Sequence, residues 1–160
     1  MKYSQGNMCR LLAAMLCFSV LLTGCFIYLP APPSKDEVEA WFRENQVDIT
    51  LVTEQLLLLE YRSCSIWEGD GPVSYLGSEV TVNNADFYAA VKRLFQAGCC
   101  NIAKLDGDTI ELELTKGRRI FAGLAYSPDP KGPNIVYMTQ YELIAGETDW
   151  YYYVGDYERS

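Results

Sequence analysis

Residues 84–126, NADFYAAVKRLFQAGCCNIAKLDGDTIELELTKGRRIFAGLAY, decide the fold, because the apolar period changes inside them from helical to alternating. In the first part an Asn83 or Asn84 N-cap precedes Phe87, Val91, Leu94 and Phe95 on one helical stripe. Gly98 then stands where a helix commonly ends in a left-handed residue. After Gly98 the pattern is β. Segments 99–105, 109–115 and 118–126 read as strands, the second by alternation, and Asp106-Gly107-Asp108 and Lys116-Gly117 separate them as links of hairpin size. Strands joined this closely run antiparallel, since a parallel crossover needs about a dozen residues.

Outward from this stretch the chain continues both patterns. Ser34 is a hydroxyl N-cap followed by Asp36 and Glu37 at the positive dipole end, with Val38, Trp41 and Phe42 at helical spacing and Asn45 as the expected end. Segment 47–60 fits both periods over its first half. Its length and the run Leu56 to Leu59 favour a second helix. Segment 63–67 reads as a strand, Gly69-Asp70-Gly71-Pro72 as a turn, and 73–76 and 79–82 as short extended pieces. A loop over 127–133 with three prolines leads to strands 135–144 and 150–154. The expected fold class is α+β: two or three helices packed on one face of an antiparallel sheet of about five to six strands.

The front of the chain has a different character. Lys2 and Arg10 precede the apolar run 11–22, which is shorter than a membrane-spanning helix and ends in small residues, as a signal peptide does. Leu22-Thr23-Gly24-Cys25 has the form of a lipobox: an aliphatic residue three positions before a cysteine and a small one just before it. The cysteine sulfur is the atom that takes diacylglycerol, and two acyl chains suffice for stable anchoring where one binds only marginally. Residues 1–24 are therefore read as a lipoprotein signal peptide, 25–34 as the lipidated Cys25 and a Pro-rich tether, and 35–160 as a single domain. From Cys25 to Ser34 the chain reaches at most about 30 Å. The expected location is the extracytoplasmic face of a bacterial membrane, with the membrane itself as a partner through Cys25.

Loss of Lys2 and Arg10 with the signal leaves 11 of the 13 basic residues against 21 acidic ones, a formal charge of −10. So acidic a chain lacks the basic face that nucleic acid requires. The chain contains no histidine, which removes His-based acid–base catalysis, Ser-His and Cys-His nucleophile pairs and the commonest zinc ligand sets. No cofactor or metal site is expected. Cys64, Cys99 and Cys100 remain in the mature chain, either as buried thiols, or with Cys64 bridged to one of the pair, or with the pair bridged to itself.

Two features invite a functional reading. In the strand Trp150-Tyr151-Tyr152-Tyr153, alternation puts Tyr151 and Tyr153 on one face, a candidate binding surface for a protein or saccharide; packing of aromatic strand formers is the plainer explanation. Glu111 and Glu113 share a strand face as an acid–base pair would, but alternation with Ile110, Leu112 and Leu114 makes them solvent-facing in expectation, without raised pKa values. Glu68-Gly69-Asp70 and Asp106-Gly107-Asp108 lack the multi-ligand spacing of calcium loops. The expected function is a non-enzymatic binding or interaction module; an inhibitor or immunity-like protein is one form of it, and a carboxylate-dependent hydrolase the alternative.

With GLAYS at 123–127 and WYYYVGDY at 150–157, the C-terminal half resembles a group of small, uncharacterised lipoproteins of low-GC Gram-positive bacteria. In that group a helical front half precedes an antiparallel sheet ending in a Trp-Tyr-Tyr strand. The resemblance covers most of 35–158 and implies a fold and a location, with no catalytic residues to transfer.

Overall fold

Ser34 starts the first helix through a capping box: its hydroxyl accepts from the Glu37 amide, and the Glu37 carboxylate accepts from the Ser34 amide at 2.7 Å. The computed structural model describes residues 31–67, 73–75, 78–80, 82–115 and 119–159. The signal peptide, Cys25, and the turns at 68–72 and 116–117 lie outside these described residues. Helix α1 (Lys35–Leu57) runs unbroken through Asn45. Instead of ending the helix, the Asn45 side chain donates to the Trp41 carbonyl one turn back at 2.8 Å, so its polar group is satisfied within the helix. The expected second helix over 47–60 is the continuation of α1. Its buried residues Val38, Phe42, Ile49, Val52 and Leu56 keep helical spacing, while Val47 is exposed.

Helix α2 (Ala85–Gln96) has the expected ends. The Asn84 side chain accepts from the Asp86 and Phe87 amides, and Gly98, at φ +103°, reverses the chain so that the Cys99 amide bonds back to Leu94. The two helices are joined by the Trp41 indole, which donates to Ala97 at 2.7 Å, and by the two-pronged Arg93–Asp48 pair.

Strands β1 (Cys64–Trp67), β2 (Val73–Tyr75), β3 (Ser78–Val80), β4 (Asn101–Leu105), β5 (Thr109–Glu113), β6 (Ile120–Tyr126), β7 (Met138–Leu143) and β8 (Trp150–Asp156) form one antiparallel sheet. Its order is β3-β2-β1-β4-β5-β6-β8-β7. Six strands make its body, and the three-residue pair β2 and β3 extends one edge. The fold is α+β, with both helices on one face. Between helices and sheet, Phe42, Ile49, Leu56, Phe87 and Leu94 meet Ile66, Ile102, Ile110, Leu112, Leu124 and Tyr152. Burying each such side chain stabilises the fold by about 1.5–3 kcal/mol.

The opposite face is also covered. Phe121, Ala125 and Tyr153 form a second buried cluster beneath Tyr137 and Met138. Every residue of β5 is consequently buried, on both faces. This overturns the expectation that the polar side of β5 faces water.

Candidate functional site

The second face is built around Glu111 and Glu113, which are 3% and 4% exposed. Their neighbours on β6 are small: Glu111 pairs with Ala125 and Glu113 with Gly123, and this low ground leaves room for rings to cross above. Three tyrosines occupy it. Tyr137, from the loop before β7, donates to Glu111 Oε2 at 2.8 Å. Tyr157, in the C-terminal 3₁₀ turn Tyr157–Arg159, donates to Glu113 Oε2 at 2.9 Å. Tyr153 is fully buried, its hydroxyl 3.0 Å from where a Cβ on Gly123 would stand. Phe121 lies between these rings, stacked on Tyr157 with centroids 4.0 Å apart and tilted or edge-on to Tyr137 and Tyr153.

Burial raises the pKa of Glu111, against the Tyr153 and Tyr137 hydroxyls, which favour its ionised form. Burial likewise pushes Glu113 up to about 7; the Tyr157 hydroxyl opposes the shift, the neighbouring Glu111 charge adds to it, and Asn101 on β4 opposes it. Burial and then the same carboxylates push the phenols of Tyr137 and Tyr153 up as well. The expectation of unperturbed, solvated carboxylates is thus corrected. The covering rings come from residues 26 to 44 positions away in sequence, so alternation within β5 gives no sign of them. The available signal was compositional: six of the 12 tyrosines lie between 137 and 157.

Tyr151 and Tyr153, the candidate binding surface, are 6% and 0% exposed and do not present rings to solvent. The reason is that their face of the sheet is covered: Tyr153 lies with Phe121 beneath Tyr137 and Met138, and the Tyr141 ring meets Tyr151. Besides Tyr157, an exposed aromatic on this face belongs to the next strand: Tyr141 on β7 is 45% exposed and meets Tyr151 edge-on at 5.8 Å. Strand β7 is the sheet's outer edge, exposed at every residue after Met138, with Leu143 open beside Tyr141. A cavity of about 490 Å³ lies between this strand and the preceding loop, lined by Asp129, Lys131, Asn134, Ile135, Met138 and Tyr141 among others. Sequence reasoning did not single out Tyr141 or Leu143.

Neither Glu111 nor Glu113 lines that cavity. Among the described residues no group of three or more Cys, Asp or Glu is arranged to hold a metal, and no helix is long and apolar enough to cross a membrane. Cys64, Cys99 and Cys100 are all thiols, with burial raising the pKa of Cys64 and Cys99. No protein-family model matches the chain, and no curated protein or solved structure matches it significantly.

Proposed function

We propose that the chain is a non-enzymatic binding module, anchored on the extracytoplasmic face of a bacterial membrane by diacylglycerol on Cys25, and that it takes an extended segment of a partner protein along β7. The lipobox at 22–25 and the short tether support the anchor, and the likeness of the 150–157 strand to small lipoproteins agrees with it. What supports binding is the open edge itself. A sheet edge presents unpaired amides and carbonyls, which proteins ordinarily protect with lysine, proline or a covering element. Strand β7 reads MTQYEL, with neither lysine nor proline; its register shifts between Met138 and Gln140 and Glu142 pairs with Lys35, while beyond the shift Tyr141 and Leu143 stay exposed. An added strand would take its affinity from main-chain hydrogen bonds and its specificity from side chains at alternate positions.

An inhibitor or immunity-like protein is a particular case of this module, in which the acidic surface masks a basic partner. The hydrolase reading is weaker, because the raised carboxyls are closed over by tyrosine rings and stand apart from the cavity. The test is recovery of a partner by the membrane-tethered protein, with photo-crosslinkers at Leu143 and, as control, at exposed Lys92 on α2. A single stoichiometric product from position 143, lost in competition with unlabelled protein and in Leu143→Lys at unchanged circular dichroism, is expected. Equal labelling from both positions, or none, contradicts the reading, as does turnover in a hydrolase panel that disappears in Glu111→Gln.

A further inference from the structure

The second face puts two acids where charge is poorly tolerated. Glu111 and Glu113 lie two residues apart on the same side of an interior strand. Among the described residues, the groups facing them are Asn101 on β4, Phe121, Gly123 and Ala125 on β6, Tyr153 on β8, Tyr137 from the loop, Tyr157 from the C-terminal turn, and the Cys99 and Cys100 thiols before β4. None of these is a cation. The nearby Arg119 is engaged with Asp156 and Glu158 at the surface. Three buried oxygens on this face, Glu111 Oε1, Asn101 Oδ1 and the Tyr153 hydroxyl, make no hydrogen bond of good geometry, although the Tyr153 hydroxyl lies near enough to Glu111 to favour its ionised form. An ionised Glu111 is met here by neutral phenols, Tyr137 and Tyr153, rather than by a cation, whereas a proton turns Oε1 into a donor.

We propose that Glu111 and Glu113 are a coupled acid pair that keeps a proton in the folded state, and that loss of that proton loosens the C-terminal turn that carries Tyr157. Two adjacent carboxylates can both ionise only if water reaches them, so a cover must yield. Tyr157 is the cover that yields: it is 42% exposed and its turn is fastened at the surface, by the Tyr157 amide on Arg119 O and the Arg119 pairs with Asp156 and Glu158, while Tyr153 is fully buried inside the sheet. The direction follows from linkage. A carboxyl whose folded pKa lies above its unfolded value binds more protons in the folded state, so stability is full at acidic pH and falls as pH rises. With Glu113 raised from 4.5 to about 7, the fall spans that interval and levels off above it. The titration belongs to the pair, since the two acids interact.

The absence of histidine makes the test clean: apart from an α-amino group common to every variant, no side chain of ordinary pKa titrates between about pH 5 and 8. Full-length protein in detergent micelles, labelled with ¹³C at the glutamate carboxyls, is titrated from acid to alkali. At least one carboxyl signal moving above pH 6 is expected; all glutamates titrating together in the ordinary range overturns the pair. Amide exchange of the C-terminal turn, corrected for intrinsic rates, should rise at least about tenfold between pH 5 and pH 8. In Glu111→Gln/Glu113→Gln, where the amides imitate neutral acids, that rise should vanish. A pH response of equal size in the double variant refutes the coupling, and if that variant does not fold, the wild-type titration still decides the claim.

Discussion

Lys104 is 4% exposed, and replacing it with methionine tests how helix α1 is finished. The last turn of α1 contains no basic residue, so its carbonyls lack the usual local cation. Lys104 reaches them from β4, its Nζ donating to Leu59 O at 2.9 Å and Leu57 O at 3.4 Å, with Asp108 beside it at 3.2 Å. Hydrogen bonds to charged groups contribute about 1.5–3 kcal/mol, the longer one less. A cation at a helix C-terminus adds about 0.3–2 kcal/mol. Against these stands the cost of holding an ammonium away from water, which methionine removes while keeping the stem's packing. The net expected loss is about 2–3 kcal/mol, which lowers the melting temperature by about 10 °C for a domain of this size. Asp108 is 62% exposed in its side chain, so Asp108→Asn should cost under about 0.5 kcal/mol. Thermal and urea melts of both variants give the comparison. A Lys104→Met protein as stable as wild type, or an Asp108→Asn protein as damaged as Lys104→Met, would refute the assignment of Lys104 to the helix end.

Gly155→Ala should destabilise by about 1–3 kcal/mol in urea melts, because a Cβ there runs into the Phe121 ring, which is locked under Tyr157; a neutral result would show that this packing is loose. Tyr153→Phe removes a buried hydroxyl that makes no hydrogen bond of good geometry and should leave stability within about 1 kcal/mol of wild type or above it. Tyr153→Ser also removes the ring and should cost about 3–5 kcal/mol. Equal losses in the two variants would mean that the hydroxyl, not the ring, is what matters.

The parts of the fold that were legible in the sequence are those fixed by nearby residues. Asn84, the stripe from Phe87 to Phe95, and Gly98 mark α2 because cap, stripe and stop all lie within one segment. The later strands are legible for the same reason, through alternation and turn residues. Asn45 misled because its preference for helix ends is met here by a bond to the carbonyl one turn back, and only the packing of Ile49, Val52 and Leu56 on the sheet shows that α1 continues. Glu111 and Glu113 misled because a strand's own pattern records which side chains are apolar, not whether the polar side is later covered. Their cover comes from Tyr137 and Tyr157, on segments whose only local signal is aromatic content. The position of β8 inside the sheet, with β7 outside it, is a matter of strand order. No periodicity carries that order, and alternation within β8 does not show that its face is covered by Tyr137, Met138 and Tyr141, the last itself exposed.

Intact-mass measurement of the protein extracted from the membrane fraction of cells making the full chain tests the anchored module most directly. The expected species begins at Cys25 and carries diacylglycerol on that sulfur, and Cys25→Ser should release the protein from the lipid-modified pool. An unmodified mature chain in the soluble fraction, or one cut anywhere other than before Cys25, would contradict the anchor and with it the proposed place of work.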